Sequence, residues 1–452
     1  MEIFSVKDIF NNYKTLSNVN ILGWVRSNRD SGSLGFISFF DGSSINSIQL
    51  VYKKTDTLNF EEAKNVRTGA AIFVKGTVVA SLKENQHFEI VVNEFKLLKQ
   101  SDEDYPLQKK EHSSEFLRSI AHLRPRTNKF NTIIKLRSEL SFAIHNFFHQ
   151  NDFIWISTPI ITSNDAEGAG ENFIIKTKDN HDFFDKPATL TVSGQLHAEA
   201  LAQAFKRVYT FGPTFRAEKS NTNRHLAEFW MVEPEIAFCN LHQLMHLIEA
   251  FIKYLIRFCL KKCKEEISFL NKAVDDKLFD RLNSTVEMEF EKIEYKEAIK
   301  ILKHSISTGK NFEDNNIFFG KDLASEHERF LCEDIYKKPI FIYNFPKDIK
   351  PFYMKNNNDG TTVAACDLLF PGIGEIIGGS EREDDYKKIY KKCLSSNMKI
   401  DEIEWYLNLR KYGYYKSSGF GLGFERLIMF LTGITNIKDV TLFPRSYGSI
   451  NF

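Results

Sequence analysis

The densest run of chemically useful side chains lies between Val208 and Phe238. Two strand-like stretches there flank a polar loop, residues 217–226. Arg216 ends the first stretch, Glu218 stands in the loop, Arg224 and His225 close it, and Phe229 opens the second. Period-two alternation puts Phe229, Met231, Glu233 and Glu235 on one face. An aromatic ring, a carboxylate and a guanidinium at the edge suit a ligand with a flat base, a phosphate and a polar group. The same residues also describe a hairpin with solvated charges, and the local pattern leaves both readings open.

Other motifs lead nowhere. His145/His149 and His242/His246 stand four apart, but Asn146 and Gln243 follow where a zinc protease needs Glu. Gly309-Lys310 has His304 where a phosphate loop needs an earlier glycine. Gly419-Phe-Gly421-Leu-Gly423 is glycine-rich but does not sit at the first turn of a βαβ unit, which weakens a dinucleotide reading. The six cysteines form no C-x-x-C pair, which fits a reducing compartment and a cytoplasmic location. The first residues show no signal peptide. The longest apolar run, 247–260, contains Glu249, Lys253 and Arg257, so no membrane span is expected.

The elements that must position the hairpin follow from length and pattern. A chain of 452 residues exceeds one hydrophobic core, which stops growing near ~250–300 residues. Apolar residues at 42% and charged residues at 26% exclude a disordered chain. The net charge of +1 means that any nucleic-acid surface is a local patch. Residues 1–100 read as five strands, 19–25, 35–39, 45–51, 71–81 and 88–98, with a short helix near 59–66, the order of an OB-fold barrel. Residues 101–128 are polar and proline-punctuated and read as a linker and hinge. From 129 apolar residues recur at helical spacing to Gln150, and 153–161 is strand-like. Beyond it, strands and helices follow without βαβ alternation. Residues 129–452 therefore read as an α+β domain on an antiparallel sheet.

Phe215-Arg216-x-Glu218, followed by Arg224-His225-x-x-Glu228-Phe229, resembles motif 2 of the class II aminoacyl-tRNA synthetases. Residues near 140–161, with Pro159, are similar to motif 1. Gly421-Leu-Gly423-Phe-Glu425-Arg426-Leu, within 419–445, is similar to motif 3. The order of the three, with motif 2 near 208–238, and the preceding barrel resemble the aspartyl/asparaginyl/lysyl branch. Within it the similarity is strongest to bacterial asparaginyl enzymes, over 104–110, 121–127, 193–196, 224–235 and 325–329.

The resemblance implies ATP-dependent activation of L-asparagine to an adenylate, then transfer to tRNA(Asn). It implies that Arg216 bridges substrate carboxylate and α-phosphate, and that Arg426 holds the γ-phosphate and covers the adenine. His225 would meet the triphosphate tail and Phe229 would stack under adenine, with Glu218, Glu375 and Gly423 completing the ATP site. Asp367 and Glu375 would hold Mg2+, an ion that prefers hard oxygen ligands. Glu167, Ser193 and Gln195 would hold the amino end of asparagine, and Arg382 its side-chain carbonyl. In the barrel, Arg26, Arg29, Phe36, Gln49 and Glu89 would face the anticodon. Motif 1 implies a homodimer.

The resemblance also frames the choice of amino acid. Aspartyl enzymes carry lysine where this chain has Ala198, and Asp where it has Glu233. A longer acid would accept from the asparagine amide and repel a carboxylate. Hydrogen-bond selection of that kind separates analogues by roughly 10⁴–10⁵. The rivals are an aspartyl-tRNA synthetase, a tRNA-independent asparagine synthetase that would need no anticodon reader, and a non-catalytic RNA-binding relative. Lys219 and His197 depart from the commonest residues at their positions. The stretch 267–316 carries no legible motif.

Overall fold

The computed structural model describes residues 2–81, 87–163 and 171–452. The chain divides into two compact units, Met1–Thr132 and Ile133–Phe452.

In the first unit, β1 (Asn18–Asp30), β2 (Leu34–Phe40), β3 (Ile48–Lys53), β4 (Ala71–Ala80) and β5 (Phe88–Lys99) close a barrel in the order β1-β2-β3-β5-β4. Helix α1 (Val6–Asn12) precedes it and α2 (Phe60–Asn65) joins β3 to β4. Sequence reading misses α1, whose start Ser5 and Asp8 cap reciprocally. Alternation fills the barrel: Ile37, Phe39, Leu50, Ile90 and Val92 are buried. The residues between them, Phe36, Ser38, Gln49 and Glu89, are not. The expected linker carries α3 (Ser114–Ser119) and a 3-10 turn, Arg124–Arg126. Helix α4 runs over Asn128–Gln150.

The second unit is built on an eight-stranded sheet. Its strands in chain order begin with β6 (Ile154–Trp155). A separate small sheet then holds β7 (Ile161–Thr162), β8 (Ile174–Ile175) and β9 (Ala188–Leu190). The strand expected over 153–161 thus shrinks to β6, because Pro159 cannot donate to a ladder. The main sheet continues with β10 (Arg207–Phe215), β11 (Glu228–Ala237), β12 (Glu291–Glu294), β13 (Ile340–Pro346), β14 (Thr362–Phe370), β15 (Gly374–Glu381) and β16 (Ser417–Gly423). Its order is β12-β13-β14-β15-β16-β11-β10-β6, antiparallel except at the β12–β13 and β10–β6 pairs. The mixture of this sheet with many helices, after an all-β barrel, is the α+β architecture expected.

Besides most of α4, the described helices of this unit are α5 (Gln195–Phe205), α6 (Leu241–Lys262), α7 (Lys264–Ala273), α8 (Leu278–Glu287), α9 (Tyr295–Ser307), α10 (Ser325–Arg329), α11 (Tyr386–Ser395), α12 (Ile400–Asn408) and α13 (Phe424–Thr432). Helix α6 packs across β14, β15 and β16. Its buried Leu244, Ile248, Phe251, Ile252, Leu255 and Cys259 follow helical spacing, and an Asn240/Gln243 capping box fixes its start. The stretch 267–316 carries most of α7, then α8, β12 and α9, and ends in irregular chain after Ser307; Tyr295, Ala298 and Leu302 of α9 enter the core. Among the described residues, no helix is long and apolar enough to cross a membrane.

Candidate active site

Strands β10 and β11 form a hairpin with Thr214 opposite Phe229 and Phe215 opposite Glu228. Arg216 follows β10 at once, and its backbone N–H donates to the Ala227 carbonyl at 3.0 Å. On β11, Phe229, Met231, Glu233 and Glu235 all face the same side, where two cavities open. One, about 700 Å³, is lined by Arg216, Glu218, Arg224, His225, Phe229, Glu375, Gly423 and Arg426. The other, about 850 Å³, is lined by Ser193, Gln195, Ala198, Glu233, Lys350, Asp367 and Arg382. Arg216, Met231, Glu375 and Gly421 line both, so the two cavities meet at Arg216.

The first cavity is cationic at one end and aromatic at the other. The Arg216 guanidinium lies 5.4 Å from the Phe229 ring centre. Arg426 Nη1 donates to the Glu375 carbonyl at 2.7 Å. His225 Nδ1 pairs with the Thr222 hydroxyl at 2.6 Å. Burial and the Arg426 charge hold His225 below its ordinary value, so the ring stays neutral at pH 7. Glu425, beside Arg426, is buried, accepts from Trp230 N–H at 3.0 Å and forms an ion pair with Arg137, Nη1 at 2.8 Å. It anchors α13 to the hairpin.

Glycine on β16 makes room for the second cavity. A Cβ on Gly419 would lie 2.0 Å from Glu235 Oε2 and 2.6 Å from Arg382 Nη2. The glycine-rich run is therefore a strand, not a phosphate loop. Arg382, buried, places Nη2 at 2.8 Å and Nε at 3.2 Å from Glu235, and Nη1 at 2.7 Å from the Ser380 hydroxyl. Burial pushes Glu235 up to about 7, Arg382 pulls it down, and Glu199 adds to the rise. Glu233 accepts from the Ser193 hydroxyl, from Gly194 N–H at 3.0 Å and from Thr210 Oγ1 at 3.0 Å. Three donors thus fix this acid at the cavity wall.

Carboxylates converge where the cavities meet. A Cβ on Gly378 would find Glu375 Oε1 at 3.1 Å and Asp367 Oδ1 at 3.5 Å. Burial pushes Glu328 up to about 8, and the Glu375 and Asp367 charges push the same way. Burial likewise raises Asp367 to about 6, against the pull of Lys350. Lys350 Nζ sits 2.6 Å from Asp367 Oδ2 and 3.9 Å from the Phe345 ring centre. Among the described residues, no three His, Cys, Asp or Glu side chains form a ready-made metal cage. Magnesium does not need one, since it keeps its waters and takes one or two carboxylates plus substrate phosphates. Asp367 and Glu375 fit that pattern.

Sequence reasoning missed Lys350, Glu328 and Glu199. Glu328 lies in the stretch 325–329, where the resemblance was noted without a role; Lys350 stands in no motif. Glu167 lies outside the described residues. On the barrel, Arg29 pairs opposite Phe36, and Gln49 Nε2 donates to Glu89 Oε2 at 3.0 Å. Alternation leaves Phe36 partly exposed, outside the buried residues of the barrel core. Arg26 differs: it lies 4.5 Å from the Phe40 ring centre and bonds to Asn128.

Residues 113–447 match the family model for tRNA synthetases class II (D, K and N), and residues 19–98 match that for the OB-fold nucleic acid binding domain. The asparagine–tRNA ligase of Malacoplasma penetrans is 67% identical over 100% of both chains. That of Ureaplasma urealyticum is 52% identical over 99% of both. The asparaginyl-tRNA synthetase of Pyrococcus horikoshii, solved with asparaginyl-adenylate, is 33% identical with a TM-score of 0.89, covering 100% of this chain and 99% of that one. With the family model matched over residues 113–447 and a relative 67% identical over the full length, the chain belongs to the class II tRNA synthetases of the D, K and N group.

Proposed function

We infer that this chain is an asparagine–tRNA ligase. It activates L-asparagine with ATP, releasing pyrophosphate, and transfers the asparaginyl group to tRNA(Asn), releasing AMP. The observation that carries this reading is the wall of the second cavity. Of the cations that line it, Lys350 is paired with Asp367 and Arg216 lies where the two cavities meet; Arg382 is balanced by Glu235, Ala198 stands in place of a further cation, and the fixed carboxylate of Glu233 is nearby. An asparagine amide is neutral and offers both a carbonyl and N–H groups, so it matches this wall. An aspartate carboxylate would face Glu233 without a spare positive charge.

The chemistry is positioning and charge neutralisation. Asparagine lies in the second cavity, its amino group toward Ser193, Gln195 and Glu167, and its side-chain carbonyl on Arg382. Among the described residues, Glu235 and Ser380 take three of the five N–H donors of Arg382, which leaves two for the substrate. ATP lies in the first cavity. Adenine takes the Phe229 face that the Arg216 guanidinium covers in this structure, worth on the order of 1–3 kcal/mol. Arg216 then turns to the cavity junction, where a planar fork spans both the attacking carboxylate and the α-phosphate. The pyrophosphate end meets His225 and Arg426, with Glu218 and Gly423 completing the site. Asp367 and Glu375 hold Mg2+, which supplies neutralisation of phosphate charge when bound.

The tRNA anticodon meets the barrel through Arg29, Phe36, Gln49 and Glu89, with Arg26 beside them. A ring flanked by base-edge donors and acceptors suits unstacked bases. The enzyme works as a cytoplasmic homodimer. Along motif 1, Phe142 is 65% exposed and Trp155 54%, with Ile154, Ile160 and Ile161 also exposed. Exposed apolar side chains grouped in this way support a subunit interface there. Charging of tRNA(Asn) transcripts with labelled asparagine tests the reading: product with asparagine and none with aspartate is expected, and charging with aspartate overturns it.

A further inference from the structure

Behind the second cavity lies a buried charge network centred on Glu199 and Arg410, neither of which lines either cavity. Glu199, next in sequence to Ala198, is completely buried. Arg410 Nη2 donates to its Oε2 at 2.8 Å, and the Tyr406 hydroxyl stands 2.8 Å from both oxygens. Tyr414 donates at 3.1 Å. Gln195 Nε2 donates to Oε1 at 3.1 Å, and Arg382 Nε lies 3.7 Å from that same oxygen. Beyond Arg382 stands Glu235. Two arginines and two glutamates therefore form a closed set of zero net charge. Arg410 comes from the 3-10 turn Leu409–Lys411 after α12, a part of the chain that lines neither cavity.

The geometry gives this set a task. Arg382 stands between two acids, hydrogen-bonded to Glu235 and in ion-pair range of Glu199 at 3.7 Å, beyond hydrogen-bond reach. A buried carboxylate without a full partner draws in the nearest cation. Arg410 and the tyrosine hydroxyls satisfy Glu199, which leaves Arg382 on Glu235 with its remaining N–H groups toward the cavity. The same carboxylate holds the Gln195 amide. One side chain thereby fixes groups at both ends of the amino-acid cavity.

We propose that Glu199 and Arg410 are positioning residues for amino-acid selection. They hold Arg382 and Gln195 at the spacing that fits asparagine and keep the cavity wall neutral, without touching the substrate. This rests on the reading of that cavity as the asparagine site. Losing Arg410 frees Glu199 to pull Arg382 off the substrate. Losing the Glu199 charge leaves the wall one unit positive, which favours a carboxylate-bearing amino acid over its amide.

ATP–pyrophosphate exchange on the full-length protein tests this, with KM read separately for amino acid and ATP. Arg410→Met should raise the asparagine KM by roughly 10–100-fold and leave the ATP KM within about 2-fold. Glu199→Gln should lower the asparagine-over-aspartate preference by about tenfold or more. The double variant, neutral again, should return the asparagine KM to within about 5-fold of wild type, a coupling that independent losses would not give. If Arg410→Met does not fold, Arg410→Lys and Tyr406→Phe decide, each expected to raise only the asparagine KM, by about 3–10-fold. Equal rises in both KM values, an unmoved asparagine KM, or strictly additive losses in the double variant overturn the proposal. Wild-type exchange with another amino acid overturns the substrate assignment alone; a selective KM effect for that amino acid still supports the positioning role.

Discussion

At the scale of single residues, Arg216 is the hinge of the account, because it alone among the described cationic side chains lines both cavities. Arg216→Ala should cut adenylate formation by about 10³-fold or more with the melting temperature unchanged. Near-normal pyrophosphate exchange would remove its assigned role. Arg216, His225, Phe229 and Arg426 were legible because the resemblance singled them out, and all four line the first cavity. Lys350, Glu328 and Glu199 were not, because each acts through partners far away in sequence. Lys350 meets Asp367, and Glu199 meets Arg410, only after the sheet has formed. Glu233 shows the converse. Its type put it at the pocket, but the sequence could not show that Ser193, Gly194 and Thr210 use most of its lone pairs.

At the scale of elements, the barrel strands and long amphipathic helices read directly from alternation and helical spacing. The glycine-rich strands β15 and β16 did not, since glycine carries no β propensity and resembles a loop. Their glycines are there for space. Gly419→Ala would push a methyl group into Glu235 and Arg382. It should raise the asparagine KM about tenfold or more while the ATP KM moves less, measured by steady-state exchange. Equal KM values for mutant and wild type would show that β16 tolerates bulk there. Strand β2 carries a second test. Phe36→Ala should lower tRNA charging by about tenfold or more through loss of base stacking, yet leave adenylate formation intact. Equal loss of both activities would mark a folding defect and not a lost contact.

At the scale of the whole molecule, the proposed homodimer rests on the exposed apolar residues of motif 1. Sedimentation velocity should find a dimer, and Trp155→Glu should shift it toward monomer by placing a charge in an apolar interface. A wild-type monomer at micromolar concentration would contradict the assignment. The central claim is the choice of amino acid, and it has one direct measurement: ATP–pyrophosphate exchange with magnesium, without tRNA, with asparagine or aspartate as sole amino acid. The balanced Arg382, the fixed Glu233 and the small Ala198 predict exchange with asparagine and background with aspartate. Exchange with aspartate alone would contradict the account.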